Sequence, residues 1–213
     1  VTFGALIIGA PLGLGCATYL SEYAGKRSRL FLKPALELLA GIPSVVYGFL
    51  GVIYIVPLIR DNLGGSGFSL LSTSLVLSIM ILPTIISISY DSLTSVPNGY
   101  REGSLAMGAT RWQTVYRVVI PSAKSGILAS FILGMGRAIG ETMAVIMVAG
   151  NALKIPTGPL DPLRTLTSNI ALELAYASGD HRRGLFSTGV VLLAIIMVFN
   201  YIANFAIKRK VAQ

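Results

Sequence analysis

Apolar residues run along this chain in long blocks separated by short polar and basic stretches, so block length is the first constraint. Five blocks reach the length of about 20 residues that a helix needs to cross a bilayer: 1–20, 34–59, 68–90, 125–150 and 185–207. None has the apolar/polar alternation of a membrane barrel strand. Only helices and closed barrels cross lipid, because an unpaired backbone amide finds no water there. The pattern predicts an all-α polytopic bundle, a single transmembrane domain over 1–213.

The longest polar and basic interruption is 97–121, PNGYREGSLAMGATRWQTVYRVVIP. Leu105, Ala109, Trp112, Tyr116 and Val119 recur at three- and four-residue steps, whereas Glu102, Thr110, Arg111, Gln113, Thr114 and Arg117 fall mostly on the other side. That spacing predicts amphipathic helix. Gly108 sits mid-pattern, where tolerance of unusual backbone angles lets two short helices meet at a bend. Pro97 and Pro121 punctuate the ends.

Two further irregularities stand out. Gly41-Ile42-Pro43-Ser44 removes a backbone donor and disfavours helix at Ile42, so 34–41 reads as a short helix before a crossing that starts near Pro43. Such a break either exposes backbone N–H groups to an anion or is a packed kink. The connection 151–184 is long for a loop, and Leu166, Ile170 and Leu174 within it predict a surface helix. Gly64-Gly65-Ser66-Gly67 reads as a turn.

Charge then orients the bundle. The net charge is +8, with 17 Lys and Arg against 9 acidic residues, and 54% of the chain is hydrophobic. The basic residues are not interleaved with aromatics as on a nucleic-acid-binding face, so nucleic acid is excluded as a partner. They collect in alternate connections: Lys26, Arg27, Arg29 and Lys33; then Arg101, Arg111, Arg117 and Lys124; then Lys208, Arg209 and Lys210. The other connections hold Arg60 and Lys154, Arg164, Arg182 and Arg183. Positive charge favours the cytoplasmic side, which places 97–121 and the C-terminus there and 151–184 outside. The opening at Val1, inside an apolar block, reads as a chain lacking an N-terminal segment.

Candidate chemistry is sparse. Cys16, alone in an apolar run, reads as a buried small hydrophobe, and His181 as a solvated loop residue with no second metal ligand beside it. No phosphate-binding G-x-x-x-x-G-K-[ST], H-E-x-x-H or G-x-S-x-G sequence is present. An enzyme is not indicated, nor a bound cofactor. Arg137 is the exception, about 18 Å into the 125–150 block at 1.5 Å per residue. Glu141, at i+4, shares its face and can pair with it. Ionisable groups at membrane depth often mark a pathway, and the guanidinium fork suits an oxyanion. Arg137 therefore reads either as a path residue held by Glu141 or as half of a structural ion pair. Thr142 and Ser44 are assigned to the same path. Gly136 and Gly140 have the spacing that lets a second helix approach closely.

Glu102-Gly103-Ser104, then Gly108, then Val118-Val119-Ile120-Pro121 resemble the EAA loop of type I ABC importer permeases, with Gly and Ser in place of two alanines. AGIPSVVYG at 40–48 and GRAIGETMAVIMVAGN at 136–151 narrow the resemblance to phosphate-transporter permeases, more PstC-like than PstA-like. It implies a permease subunit of an ATP-driven phosphate importer. Its implied partners are a PstA-like permease, a PstB-like ATPase dimer carrying ATP-Mg, and an external PstS-like binding protein docking near 151–184. Glu102, Gly103, Ser104, Leu105, Gly108, Ala109, Thr110, Trp112 and Pro121 would then form the ATPase-coupling loop. Importers of sulfate or molybdate, and an uncoupled anion channel, are the alternatives; a scaffold with no substrate is a third.

Overall fold

The computed structural model describes the backbone of residues 1–211 and the side chains of residues 1–202. The basic side chains Lys208, Arg209 and Lys210 lie outside the described residues. Among the described residues ten helices follow one another: α1 Thr2–Tyr23, α2 Lys26–Ala40, α3 Ser44–Leu63, α4 Leu70–Thr94, α5 Asn98–Ala106, α6 Arg111–Ser122, α7 Lys124–Gly140, α8 Met143–Val148, α9 Leu166–Glu173 and α10 Gly179–Val211. No strand is formed among the described residues. Helices α1, α3, α4 and the Gly179–Ile202 part of α10 are long and apolar enough to cross a membrane. Helices α6 and α7 reach that length and apolarity only when taken together across a 69° bend, which gives four crossings, or five if the bent pair counts as one.

Helix α4 is the centre. Its side chains Leu77, Met80, Ile81, Ile85 and Leu93 are fully buried, between α1, which runs parallel to it, and the antiparallel α7. Small residues let the backbones close. A Cβ on Gly13 would stand 2.6 Å from Ile85 Cγ2, and one on Gly48 of α3 would stand 2.9 Å from the Ala144 backbone. With no hydrophobic drive between helices in lipid, such close contacts and interhelical hydrogen bonds supply the cohesion. Ser89 of α4 and Ser130 of α7 make one such bond at 2.8 Å.

The expected crossings are corrected at two places. The helix before the Gly41–Pro43 break starts at Lys26 rather than at 34, taking up part of the basic connection. The 125–150 block is not one span: α7 ends at Gly140, Glu141 is extended, and α8 follows. Cys16 is exposed on α1, not buried. The turn at Gly64–Gly67 forms as expected, with three left-handed glycines.

The 151–184 connection is strapped over the start of α4. Leu70 and Leu71 N–H donate to Asp161 and Pro159 O, and Leu163 N–H donates to Ala149 O. The first two satisfy helix-start donors of α4 that would otherwise be orphaned. Thr165 caps α9 through a reciprocal bond pair with Ser168. Helix α9 buries Thr167 and Ser168, half-buries Ile170 and leaves Leu166 and, just past its end, Leu174 exposed, so the predicted apolar stripe is only partly bare. His181 lies in the first turn of α10 rather than in a loop, its Nε2 3.6 Å from Glu173 Oε2.

Candidate functional site

Helix breaks position Arg137. Helix α2 stops at Ala40 because Pro43 cannot donate, and its last carbonyls must find other partners. Arg137, in the last turn of α7, donates from Nη2 to Ala40 O and from Nη1 to Thr84 Oγ1, both at 3.3 Å. Tyr47 Oη donates to the adjacent Leu39 O at 2.7 Å. The guanidinium thus sits where α2, α4 and α7 meet, with two long bonds and five N–H groups to place. Its other donors have no acceptor among the described residues. Arg137 is half-buried, as are Ser44 and Thr142.

The predicted Arg137–Glu141 pair does not form among the described residues. The chain turns extended at Glu141, with ψ at 128°, which takes its side chain off the face Arg137 occupies. Glu141 Oε1 instead accepts from the Thr142 and Ala144 N–H groups, both at 3.1 Å, and its carbonyl accepts from Thr167 Oγ1 at 3.0 Å. A carboxylate suits a helix start, where amides and dipole both favour negative charge. Glu141 therefore caps α8. Thr142 Oγ1 donates to Gly140 O at 3.2 Å, and Ser44 follows Pro43 at the start of α3. Gly136 and Gly140 face open space in this chain, so the expected close helix contact is not made there; Gly13 and Gly48 make it elsewhere.

The second site is the bent loop. Helix α5 ends in a Schellman turn, with Gly108 N–H on Leu105 O at 2.9 Å and Ala109 N–H on Ser104 O at 3.2 Å. Gly108 has φ +83°, the left-handed conformation glycine adopts without steric cost. Thr110 then caps α6 reciprocally with Gln113. Ser104 and Thr114 hydroxyls meet at 3.0 Å across the bend. Leu105, Met107, Trp112 and Tyr116 stand exposed, Met107 at 89% and Trp112 at 65%. The rings of Trp112 and Tyr116 stack. Val119 does not join this face: Val115 and Val119 are buried, because the π-helical turn Val115–Val119 shifts the register. Glu102 and Gly103 are exposed, Ala109 is half-buried and Pro121 is exposed within the final turn of α6. Among the described residues Glu102 makes no ion pair.

Charges fix the strap at the far end of the bundle. Hydrogen bonding from Arg164, 2.7 Å away, holds the Glu173 carboxyl below its ordinary range; partial burial opposes this, and the charge of Arg164 adds to it. Asp161 is lowered likewise, first by the Thr157 hydroxyl and amide and then by the Gly158 amide.

A bundle of this kind, with a bent, apolar-tipped loop, matches the sequence profile described as binding-protein-dependent transport system inner membrane component over residues 9–213. The chain belongs to that family. Proteins that it resembles include the probable ABC transporter permease protein YqgH of Bacillus subtilis (strain 168). That relative is 43% identical over 99% of this chain and 69% of its own length. The phosphate transport system permease protein PstC of Pasteurella multocida (strain Pm70) is 36% identical over 98% of this chain and 71% of its own. In fold, the chain resembles the inward-facing methionine ABC transporter MetNI, with a TM-score of 0.70 and 17% identity over 98% of this chain and 88% of that one. This family member is thus an all-helical, multi-pass membrane protein of the type I importer permease fold.

Sequence reasoning missed Thr84 and Tyr47, which sit 53 and 90 positions before Arg137. The signal available was indirect: a helix ending at Ala40 leaves carbonyls that something must cover.

Proposed function

We propose that this chain is a permease subunit of an ATP-driven inorganic phosphate importer. The observation that carries this reading is the match to a phosphate transport permease over 98% of the chain. Arg137 supports it chemically. Its guanidinium is committed to two long, neutral bonds at a helix break, and a phosphate oxyanion is a better acceptor for a planar charged fork than either. Ser44 and Thr142, at the starts of α3 and α8, supply hydroxyls to the same path.

The reading assigns the bent loop to an ATPase. A permease of this family that carries no nucleotide-binding sequence takes its energy from a partner, and Leu105, Met107, Trp112 and Tyr116 form an apolar tip suited to a groove. Glu102 borders that tip. The loop end, richest in Lys and Arg, is cytoplasmic, and α9, with Leu166 and Leu174 exposed, faces the external binding protein. Further partners are a second permease of the PstA kind, a PstB-like dimer binding ATP-Mg and a PstS-like binding protein. ATP binding draws the loops together and opens the path outward; hydrolysis reopens it inward.

The test is uptake into proteoliposomes holding the full assembly. Phosphate accumulation should require ATP and the binding protein, and excess sulfate or molybdate should not compete. Uptake that persists without the ATPase would overturn the assignment.

A further inference from the structure

Arg101, in the first turn of α5, gathers three helix ends in one guanidinium. Nε and Nη2 donate to the two carboxylate oxygens of Glu22 at 3.2 and 2.8 Å, Nη2 also donates to Leu93 O at 2.8 Å, and Nη1 donates to Val96 O at 2.6 Å. Glu22 lies in the last turn of α1, whereas Leu93 and Val96 close α4. The paired side chains are only 18% and 11% exposed, so solvent screens the contact little and its two-pronged geometry fixes direction as well as distance.

Local structure is arranged to produce this contact. Residues Tyr19–Tyr23 form a π-helical turn, a device that re-aims side chains and concentrates at functional positions. Ser21 Oγ donates to Glu22, and Arg29 of α2 donates to the Ser21 and Ala24 carbonyls. Packing of α1 on α4 is already secured at Gly9 and Gly13, far from Glu22. The ion pair sits instead beside an open cleft of about 290 Å3 between α1 and the bent loop, lined by Glu22, Arg101, Leu105 and Arg111.

We infer that Arg101 and Glu22 are positioning residues for coupling: they bind the bent loop, α1 and α4 into one unit, so that a displacement imposed on the loop reaches both spans. This rests on the reading that an ATPase drives the loop. Its test uses the assembled transporter in proteoliposomes with binding protein and inorganic phosphate. Glu22→Gln keeps the side chain's shape but loses its charge and one acceptor. The expected complex assembles and hydrolyses ATP at the basal rate, while stimulation by phosphate-loaded binding protein falls about tenfold in kcat, with KM for ATP unchanged. In a Cys16→Ser background, bridging Glu22→Cys to Arg101→Cys with a short bis-methanethiosulfonate reagent, which forms a reducible disulfide at each cysteine and releases methanesulfinate, should restore stimulation and uptake, and reduction should abolish them again. A merely structural contact would not switch reversibly within one assembled complex. Full stimulation in Glu22→Gln, failure of that variant to assemble, or a bridged complex as inactive as the reduced one would each overturn the inference. A wild-type complex without phosphate-stimulated hydrolysis would instead overturn the reading it rests on.

Discussion

Glu141 follows Arg137 by four residues, yet the two form no ion pair: the carboxylate caps α8 while the guanidinium reaches across to the carbonyl of Ala40. An arginine committed to a carboxylate would need that bond broken before it could take another anion. Held by a carbonyl and a hydroxyl, Arg137 has a weaker bond to exchange.

Arg137→Gln and Arg137→Lys should both lower phosphate uptake strongly, by about 10- to 100-fold, since a charge-assisted hydrogen bond contributes about 1.5–3 kcal/mol. Lysine keeps the charge but not the fork, so rescue by lysine would argue against two-pronged recognition. Co-purification of the ATPase should be unaffected by either change.

Glu141→Ala should act on stability. Loss of the cap on α8 should cost about 1 kcal/mol, seen as a lower Tm of the detergent-solubilised assembly. Uptake per folded complex should change far less than in Arg137→Gln; an equal loss would return Glu141 to the path itself.

Gly108→Val should disrupt coupling without affecting membrane insertion. A β-branched residue at φ +83° costs about 1–2 kcal/mol or more, so the Schellman turn reopens and the apolar tip is misdirected. ATPase co-purification should drop, whereas Gly108→Asn, which tolerates the left-handed region, should retain most of it.

The strap should loosen in acid. Glu173 is held below its ordinary value of 4.5 by Arg164, so the stabilisation is complete above that value and is lost as pH falls through the lowered one. Proteolytic cleavage within 164–178 should therefore rise only on the acid side of that range. Arg164→Gln should raise cleavage already at neutral pH and flatten the dependence.

Gly13→Val should destabilise the bundle by about 1–3 kcal/mol through overpacking against Ile85. The same change at Gly136, which faces open space in this chain, should leave its internal packing intact, as a thermal shift of the isolated subunit would show.

Features set by neighbours in sequence were legible beforehand. Proline at 43 ends a helix wherever the chain lies, and Gly108 between two amphipathic stretches bends it, because both effects act over one or two residues. Spacing misled where register changes: the π-helical turn at Val115–Val119 buried Val119 away from Trp112, and the break after Gly140 separated Arg137 from Glu141. The Gly136/Gly140 spacing was equally incomplete evidence, since a small-residue pair shows that an approach is allowed but not that a helix is there.

By itself, the sequence determined that this protein is a helical membrane bundle with one bent, amphipathic loop, because lipid forces every apolar block to satisfy its backbone internally and turn chemistry is local. Only the tertiary structure decided which groups meet: Arg137 with Ala40 and Thr84, and Arg101 with Glu22, separated by 97, 53 and 79 positions. A charged side chain pairs with whatever acceptor the packed backbone brings within reach, and that choice is made by how the helices stack around α4, not by order along the chain.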